Sequence, residues 1–189
     1  MVVDGSTAYV ADGNSGLRVI SVANPAMPSE LGFFDAVYDT EGVSLEGNLA
    51  LLADSYGGAQ QIDVSNPAAP VLVGGLGFGD VGGRCDAVVA HGGFAWMVTD
   101  TSGLLVIDAA VAGSPPVVGH FKSKGYSGSV AAVAGLAFVG AAPAALRVLD
   151  VTPPSTPIEI RSLPAADYPQ DVVIAGWNAF VPVLSSGLE

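Results

Sequence analysis

Basic residues are scarce in this chain. Its 189 residues hold 6 Lys and Arg against 18 Asp and Glu, a formal net charge of −12. Such a surface repels phosphate backbones and anionic lipid, which argues against nucleic-acid partners. Cys85 is the single cysteine, so neither a disulfide within the chain nor a Cys-based zinc site can form. The two histidines, His91 and His120, fall in different segments and in no HExxH pattern. No stretch carries the alternating Asp and Asn ligands of an EF-hand loop, and Asp39-Thr40-Glu41-Gly42 is too short for one. Calcium is compatible with the acidity but has no ligand pattern here, and no cofactor is implied. The opening Met1-Val2-Val3-Asp4 lacks the basic start and apolar core of a signal peptide, so any export signal is expected outside this sequence. One run, 130–146, is free of charge and long enough to suggest a membrane span. It is at the short limit and is broken by Gly135, Gly140 and Pro143, so membrane insertion is not expected.

Half of the residues are apolar and only 13% are charged, the reverse of a disordered chain. The 25 Gly and 13 Pro argue against long helices. Glycines in equivalent tight turns, Gly5, Gly47, Gly92, Gly135 and Gly176, follow one another at intervals of 42, 45, 43 and 41 residues. A period in the low forties marks an internal repeat. A second marker runs in register with it: Leu17-Arg18-Val19-Ile20-Ser21-Val22, Gln61-Ile62-Asp63-Val64, Leu104-Leu105-Val106-Ile107-Asp108 and Leu146-Arg147-Val148-Leu149-Asp150-Val151. A third is the turn behind it, Asn24-Pro25-Ala26-Met27-Pro28 and Asn66-Pro67-Ala68-Ala69-Pro70, with worn versions at Ser114-Pro115-Pro116 and Thr152-Pro153-Pro154. Each copy divides into four short apolar runs between turn residues. Such runs read as an antiparallel meander, and four strands at this period make the blade of a β-propeller.

The phrase G-L-x-V-I-D-V-S-N-P-x-x-P resembles the LVIVD repeat, with Leu104-Leu105-Val106-Ile107-Asp108 nearly spelling the name. The resemblance implies a β-propeller of the bacterial or archaeal cell surface, often joined to other domains. It implies no defined activity.

The expected fold is therefore all-β, a single propeller-type domain over 1–189. Its repeats are placed at about 1–35, 42–75, 86–120, 129–161 and 171–189, the last truncated. Copy one is expected to begin inside a blade, with Tyr9-Val10-Ala11-Asp12 as its second strand. Copy five is expected to stop after two strands. The expected object is an arc of about four and a half four-stranded blades, a piece of a six- or seven-bladed ring. Each blade hides its apolar faces only against its neighbours, so self-association through open blade edges is also expected.

In such a fold the strand 2–3 turns share one face with the blade-to-blade connections. Those connections vary, whereas the turns of the other face repeat. They carry the candidate ligand-binding residues Tyr38, Asp39, Arg84, Asp86, Tyr126, Tyr168 and Asp171, with Asp167 nearby. Tyrosines and carboxylates around a central opening suit a protein, peptide or glycan partner, and solvated turns with ordinary Asp caps are the plainer reading. The recurring Asp63, Asp108 and Asp150, like Asp12 and Asp54, are expected to accept backbone N–H bonds that fix turns. Trp96 and Trp177 read as inter-blade packing, with a sugar platform as the alternative. Gly77-Phe78-Gly79-Asp80-Val81-Gly82 fits G-x-G-x-x-G but lacks the strand and long helix of a dinucleotide site. Gly125-Tyr126-Ser127-Gly128-Ser129 is one glycine short of a nucleophile elbow.

The expected function is a non-catalytic surface or secreted interaction scaffold. The alternative is a hydrolase or lyase with its site at the central opening, built from Asp39, Asp86, Asp171 and His120. No catalytic or metal-binding residue set is assigned.

Overall fold

The strands of this chain gather into repeated antiparallel sheets, seen in a computed structural model that describes residues 1–143, 145–184 and 187–188. Residues 144, 185, 186 and 189, the last three within the stretch read as copy five, lie outside the described residues. Blade one comprises Val2–Asp4 (β1), Thr7–Ala11 (β2), Leu17–Ser21 (β3) and Ser29–Phe34 (β4). Blade two comprises Gly42–Glu46 (β5), Leu49–Ala53 (β6), Ala59–Asp63 (β7) and Val71–Leu76 (β8). A single helical turn, Phe78–Val81 (α1), leads into blade three: Cys85–His91 (β9), Phe94–Thr99 (β10), Gly103–Asp108 (β11) and Val117–Phe121 (β12). Blade four comprises Ser127–Val133 (β13), Leu136–Ala141 (β14), Ala145–Asp150 (β15) and Ile158–Pro164 (β16). Copy five supplies Val173–Ala175 (β17), Asn178–Phe180 (β18), Pro182–Val183 (β19) and Gly187–Leu188 (β20).

Within each of the four complete sheets the strands pair in chain order. The first strands pack side by side, β5 on β9 and β9 on β13, so they form the inner wall around which the blades are set. This is an arc of a β-propeller. Two details depart from the sequence reading. Copy one is a full blade, because Val2-Val3-Asp4 pairs with Thr7–Ala11 across the Gly5 turn. Copy five does not stop after two strands: β19 continues the second strand and pairs with β20. The uncharged run 130–146 lies on β13, β14 and the start of β15, and no helix among the described residues is long and apolar enough to cross a membrane.

The core lies between the blades. Side chains alternate across a strand, so neighbouring residues face opposite blades. Leu52 and Ile62 pack toward blade one against Leu17 and Val19, whereas Leu51 and Ala53 pack toward blade three against Met97 and Ile107. Trp96 and Val98 in turn face blade four, against Val139 and Leu149. Both faces of each inner blade are buried, which is why these strands read as near-continuous apolar runs. Trp177 breaks with the expectation of inter-blade packing. It sits at the β17–β18 turn, fully exposed, while Trp96 is buried and donates its indole N–H to the His91 carbonyl at 3.1 Å.

A seam repeats between blades. The outer strands β4, β8 and β12 carry Gly32, Gly74 and Gly119 opposite Val19, Gln61 and Val106, each directly preceded by a bulge. The strand 3–4 turn of the following blade lies on that glycine. A Cβ on Gly32 would meet the Pro67 carbonyl oxygen at 2.5 Å, and Gly74 and Gly119 are equally covered by Gly113 and Pro154. Over Gly74 the two backbones pair, with Gly75 N–H donating to Gly113 O at 2.8 Å and Gly113 N–H to Val73 O at 3.0 Å. In blade four the same position, opposite Val148 and directly after the same bulge, is the exposed Arg161.

Candidate functional site

The strand 2–3 turns clasp the blade-to-blade connections through a recurring backbone bond. Asp100, Ala142 and Leu184 N–H donate to the carbonyls of Arg84, Tyr126 and Tyr168 at 3.0, 2.7 and 3.3 Å. One residue further along, Cys85 N–H donates to Ser55 O, as Thr40 N–H does to Gly13 O, both at 3.0 Å. Asp39, Arg84, Tyr126 and Tyr168 thus occupy one backbone slot in four successive connections, just ahead of the inner strands β5, β9, β13 and β17.

Three of these four side chains meet. Arg84 Nη2 pairs with Asp86 Oδ1 at 2.5 Å and donates to the Tyr126 hydroxyl at 3.0 Å, while Nη1 lies 4.0 Å from Glu41. The rings of Tyr126 and Tyr168 lie 5.3 Å apart, tilted by 47°. Asp86 keeps only 6% of its side chain exposed, and its Oδ2 is buried without a well-formed hydrogen bond, the Tyr126 hydroxyl being the polar group that neighbours the carboxyl. Burial pushes the Asp86 carboxyl up to about 6, against the pull of the Arg84 guanidinium. The Tyr168 hydroxyl is also buried without a well-formed hydrogen bond, the Gly128 backbone N–H being the polar group that faces it. Burial first, then the neighbouring Tyr126 and Asp86, raise its pKa well above the usual phenol range. Gly128 makes room for this phenol, since a Cβ there would strike the Tyr168 hydroxyl.

The remaining candidates stand elsewhere. Asp171 Oδ1 accepts the Val172 N–H at 2.8 Å, and Asp167 Oδ1 accepts the Tyr168 N–H at 2.7 Å. Both act as local turn acceptors. His91 is the exposed last residue of β9, not the turn residue expected, and His120 Nε2 lies 2.7 Å from the Ser102 carbonyl, where it braces a strand 2–3 turn. Among the described residues no three His, Cys, Asp or Glu side chains are grouped to hold a metal ion. Cys85 is buried against Met97 and burial pushes its thiol up to about 12, which makes it inert. The recurring aspartates behave as turn acceptors. Asp63, Asp108 and Asp150 take the N–H two residues ahead at 2.8, 3.0 and 2.8 Å.

Tyr38 belongs to a second cluster that composition alone concealed. Its ring lies 6.2 Å from Tyr56, and Tyr56 lies 5.7 Å from Phe78. Each ring comes from a different segment: the connection before β5, the β6–β7 turn, and α1. Beneath them Asp54 is fully buried. Its carboxylate accepts the Thr40 hydroxyl at 3.3 Å and the Gln60 side-chain amide, and the Tyr38 and Val37 N–H groups face it. Burial raises the Asp54 pKa, and the Thr40 hydroxyl with the Tyr38 and Val37 N–H groups opposes the rise. The visible signal for this cluster was Tyr56, which stands where the first copy has Asn14.

Among curated proteins none matches this chain in sequence. Solved structures share its fold. The computationally designed Ika8 protein superposes with a TM-score of 0.76 at 9% identity, covering 99% of this chain and 55% of that one. The computationally designed Ika4 protein gives 0.67 at 11% identity, covering 86% and 97%. Apo AztD from Citrobacter koseri gives 0.56 at 16% identity, covering 89% and 46%. The chain thus spans about half the length of Ika8 and of AztD. At these identities the likeness concerns fold alone. The sequence model of the LVIVD repeat matches residues 1–36, 39–76 and 124–163, more than half of the chain. With three repeats matched and its four blades joined by one repeated seam, the chain belongs to the LVIVD repeat family.

Proposed function

We propose that this chain is a non-catalytic binding scaffold of the cell surface or exterior, which holds a peptide, protein or glycan on its connection face. One observation carries the reading. Four successive connections present Asp39, Arg84, Tyr126 and Tyr168 from one backbone slot, whereas the positions that build the blades keep the same chemistry. A rigid scaffold that varies one slot per repeat is the usual arrangement for recognition. Arg84 and the two tyrosines are residue types that dominate binding energy at protein interfaces. The outward placement rests on the family resemblance and is tested by protease shaving of intact cells.

The test of binding is an array of peptides and glycans probed with the purified chain, its Arg84→Ala and Tyr126→Ala variants, and Met27→Ala on the opposite face. Ligands bound by wild type and Met27→Ala but lost in the other two support the reading. Equal loss in Met27→Ala, or chemical turnover of the bound ligand, overturns it.

A further inference from the structure

Tyr38, Tyr56 and Phe78 are 46%, 56% and 45% exposed, yet none of them is loosely held. The Tyr38 segment is fixed by the Thr40 hydroxyl on the buried Asp54 and the Thr40 N–H on Gly13 O at 3.0 Å, and the Val37 and Tyr38 N–H groups face the same carboxylate. The Tyr56 turn closes on the same residue, with Asp54 N–H donating to Gly58 O at 2.9 Å and Gly57 N–H to Asp54 O at 2.5 Å. Phe78 rides on α1, which is braced at its start by Asp80 accepting the Gly77 N–H at 3.0 Å and closed by the left-handed Gly82. Three apolar rings from three pinned segments therefore stand in contact with each other and with solvent. Nothing in the blade architecture requires them there, and exposed clusters of this kind mark interaction sites.

The surroundings select the partner's chemistry. Aromatic faces carry negative potential and attract cations. Asp39 adjoins Tyr38, and Asp80 lies two residues from Phe78 on the same turn. The nearby Arg84 spends its charge on Asp86, Glu41 and Tyr126. The chain as a whole carries a net charge of −12.

We infer that the Tyr38–Tyr56–Phe78 cluster is a docking platform for a basic side chain, Arg or Lys, of a partner peptide. This deepens the binding reading above and rests on it only for the choice of face. Cation–π contact at half-exposed rings gives roughly two- to fivefold in affinity for each ring.

The experiment measures binding of a hexa-arginine peptide and its uncharged hexa-citrulline counterpart by calorimetry. It uses wild type, Tyr56→Ala, Phe78→Ala and Met27→Ala, all of equal net charge. The expected result is hexa-arginine binding that weakens several-fold in the Tyr56 and Phe78 variants, holds in Met27→Ala, and is absent or far weaker for hexa-citrulline. Hexa-arginine binding of equal strength in all four proteins reflects bulk charge alone and overturns the inference. Ring-dependent binding of hexa-citrulline as tight as hexa-arginine overturns the cation preference. No measurable hexa-arginine binding overturns it as well. If array ligands depend on Arg84 and Tyr126 but not on the rings, the binding reading survives and this inference fails.

Discussion

Replacing Gly119 with alanine tests the inter-blade seam most directly. Gly119 has no positive φ, so alanine meets no backbone strain there, and any cost comes from contact. Its Cβ would fall on the Pro154 carbonyl oxygen of the next blade, with the Pro154 carbonyl carbon at 3.1 Å and Val106 Cγ2 at 3.2 Å behind it. Backbone cannot rotate away as a flexible side chain can, so blades three and four must part slightly. Overpacking of this kind costs about 1–3 kcal/mol. In a chain of this size each kcal/mol lowers Tm by about 2–4 °C, which gives a fall of about 2–12 °C. Urea unfolding followed by circular dichroism reads the same loss as a lower midpoint at unchanged m-value. Arg161→Ala is the matched control, because it alters the same blade position where no following turn rests on it. It is expected to shift stability by no more than about 0.5 kcal/mol. A Gly119→Ala protein as stable as wild type, or an Arg161→Ala protein equally damaged, would refute the seam as described.

Tyr168→Phe removes a buried hydroxyl that has no well-formed partner, and is expected to leave stability unchanged or slightly raised; a loss above about 1 kcal/mol would reveal a hydrogen bond of real strength. Asp86 binds its proton more tightly in the folded state, with a pKa of about 6, than when unfolded. Its contribution to stability is therefore full below the unfolded carboxyl range and is lost as pH rises through about 6. Asp86→Asn should flatten the rise in stability between pH 7 and pH 4, and an unchanged slope in urea titrations across that range would count against it. Arg84→Ala removes the cation that pulls Asp86 down, so the Asp86 pKa should climb further, as read by carboxyl NMR titration. Asp54→Ala removes the carboxylate that the Tyr38 and Val37 N–H groups face and that the Thr40 hydroxyl bonds, and hydrogen exchange at those two amides should quicken while the β6 amides stay protected.

Much of the blade plan was legible in the sequence because it is local. A third strand such as Leu104–Ile107 followed by Asp and a Pro turn is set by propensity and turn chemistry, and repetition supplied its register. The first strand of blade one was missed because Val2-Val3-Asp4 is three residues long and gains its partner only across Gly5. The helical turn α1 was missed because Phe78–Val81 lies among glycines and is held by one Asp80 cap. The slot shared by Asp39, Arg84, Tyr126 and Tyr168 was half visible. All four residues stood out as connection residues, but the intervals of 45, 42 and 42 hid their equivalence until the backbone bonds aligned them. The aromatic cluster lay beyond reach. Its rings come from three segments whose proximity depends on how the inner blades fan out, and no local pattern encodes that. Trp177 misled for the opposite reason, since an aromatic beside a second strand is ordinarily buried.

The seam gives the arc a polarity. Each blade offers a plug, its strand 3–4 turn, and a socket, the glycine of its outer strand, and the plug of one blade fills the socket of the blade before it. The plug of blade one, at Asn24, Pro25 and Ala26, is exposed and lies on no other described residue's socket. At the fourth socket Arg161 stands where the other three have glycine. Whatever packs outward of the fourth blade there meets an arginine side chain, at the point where each earlier blade receives the next turn against bare backbone.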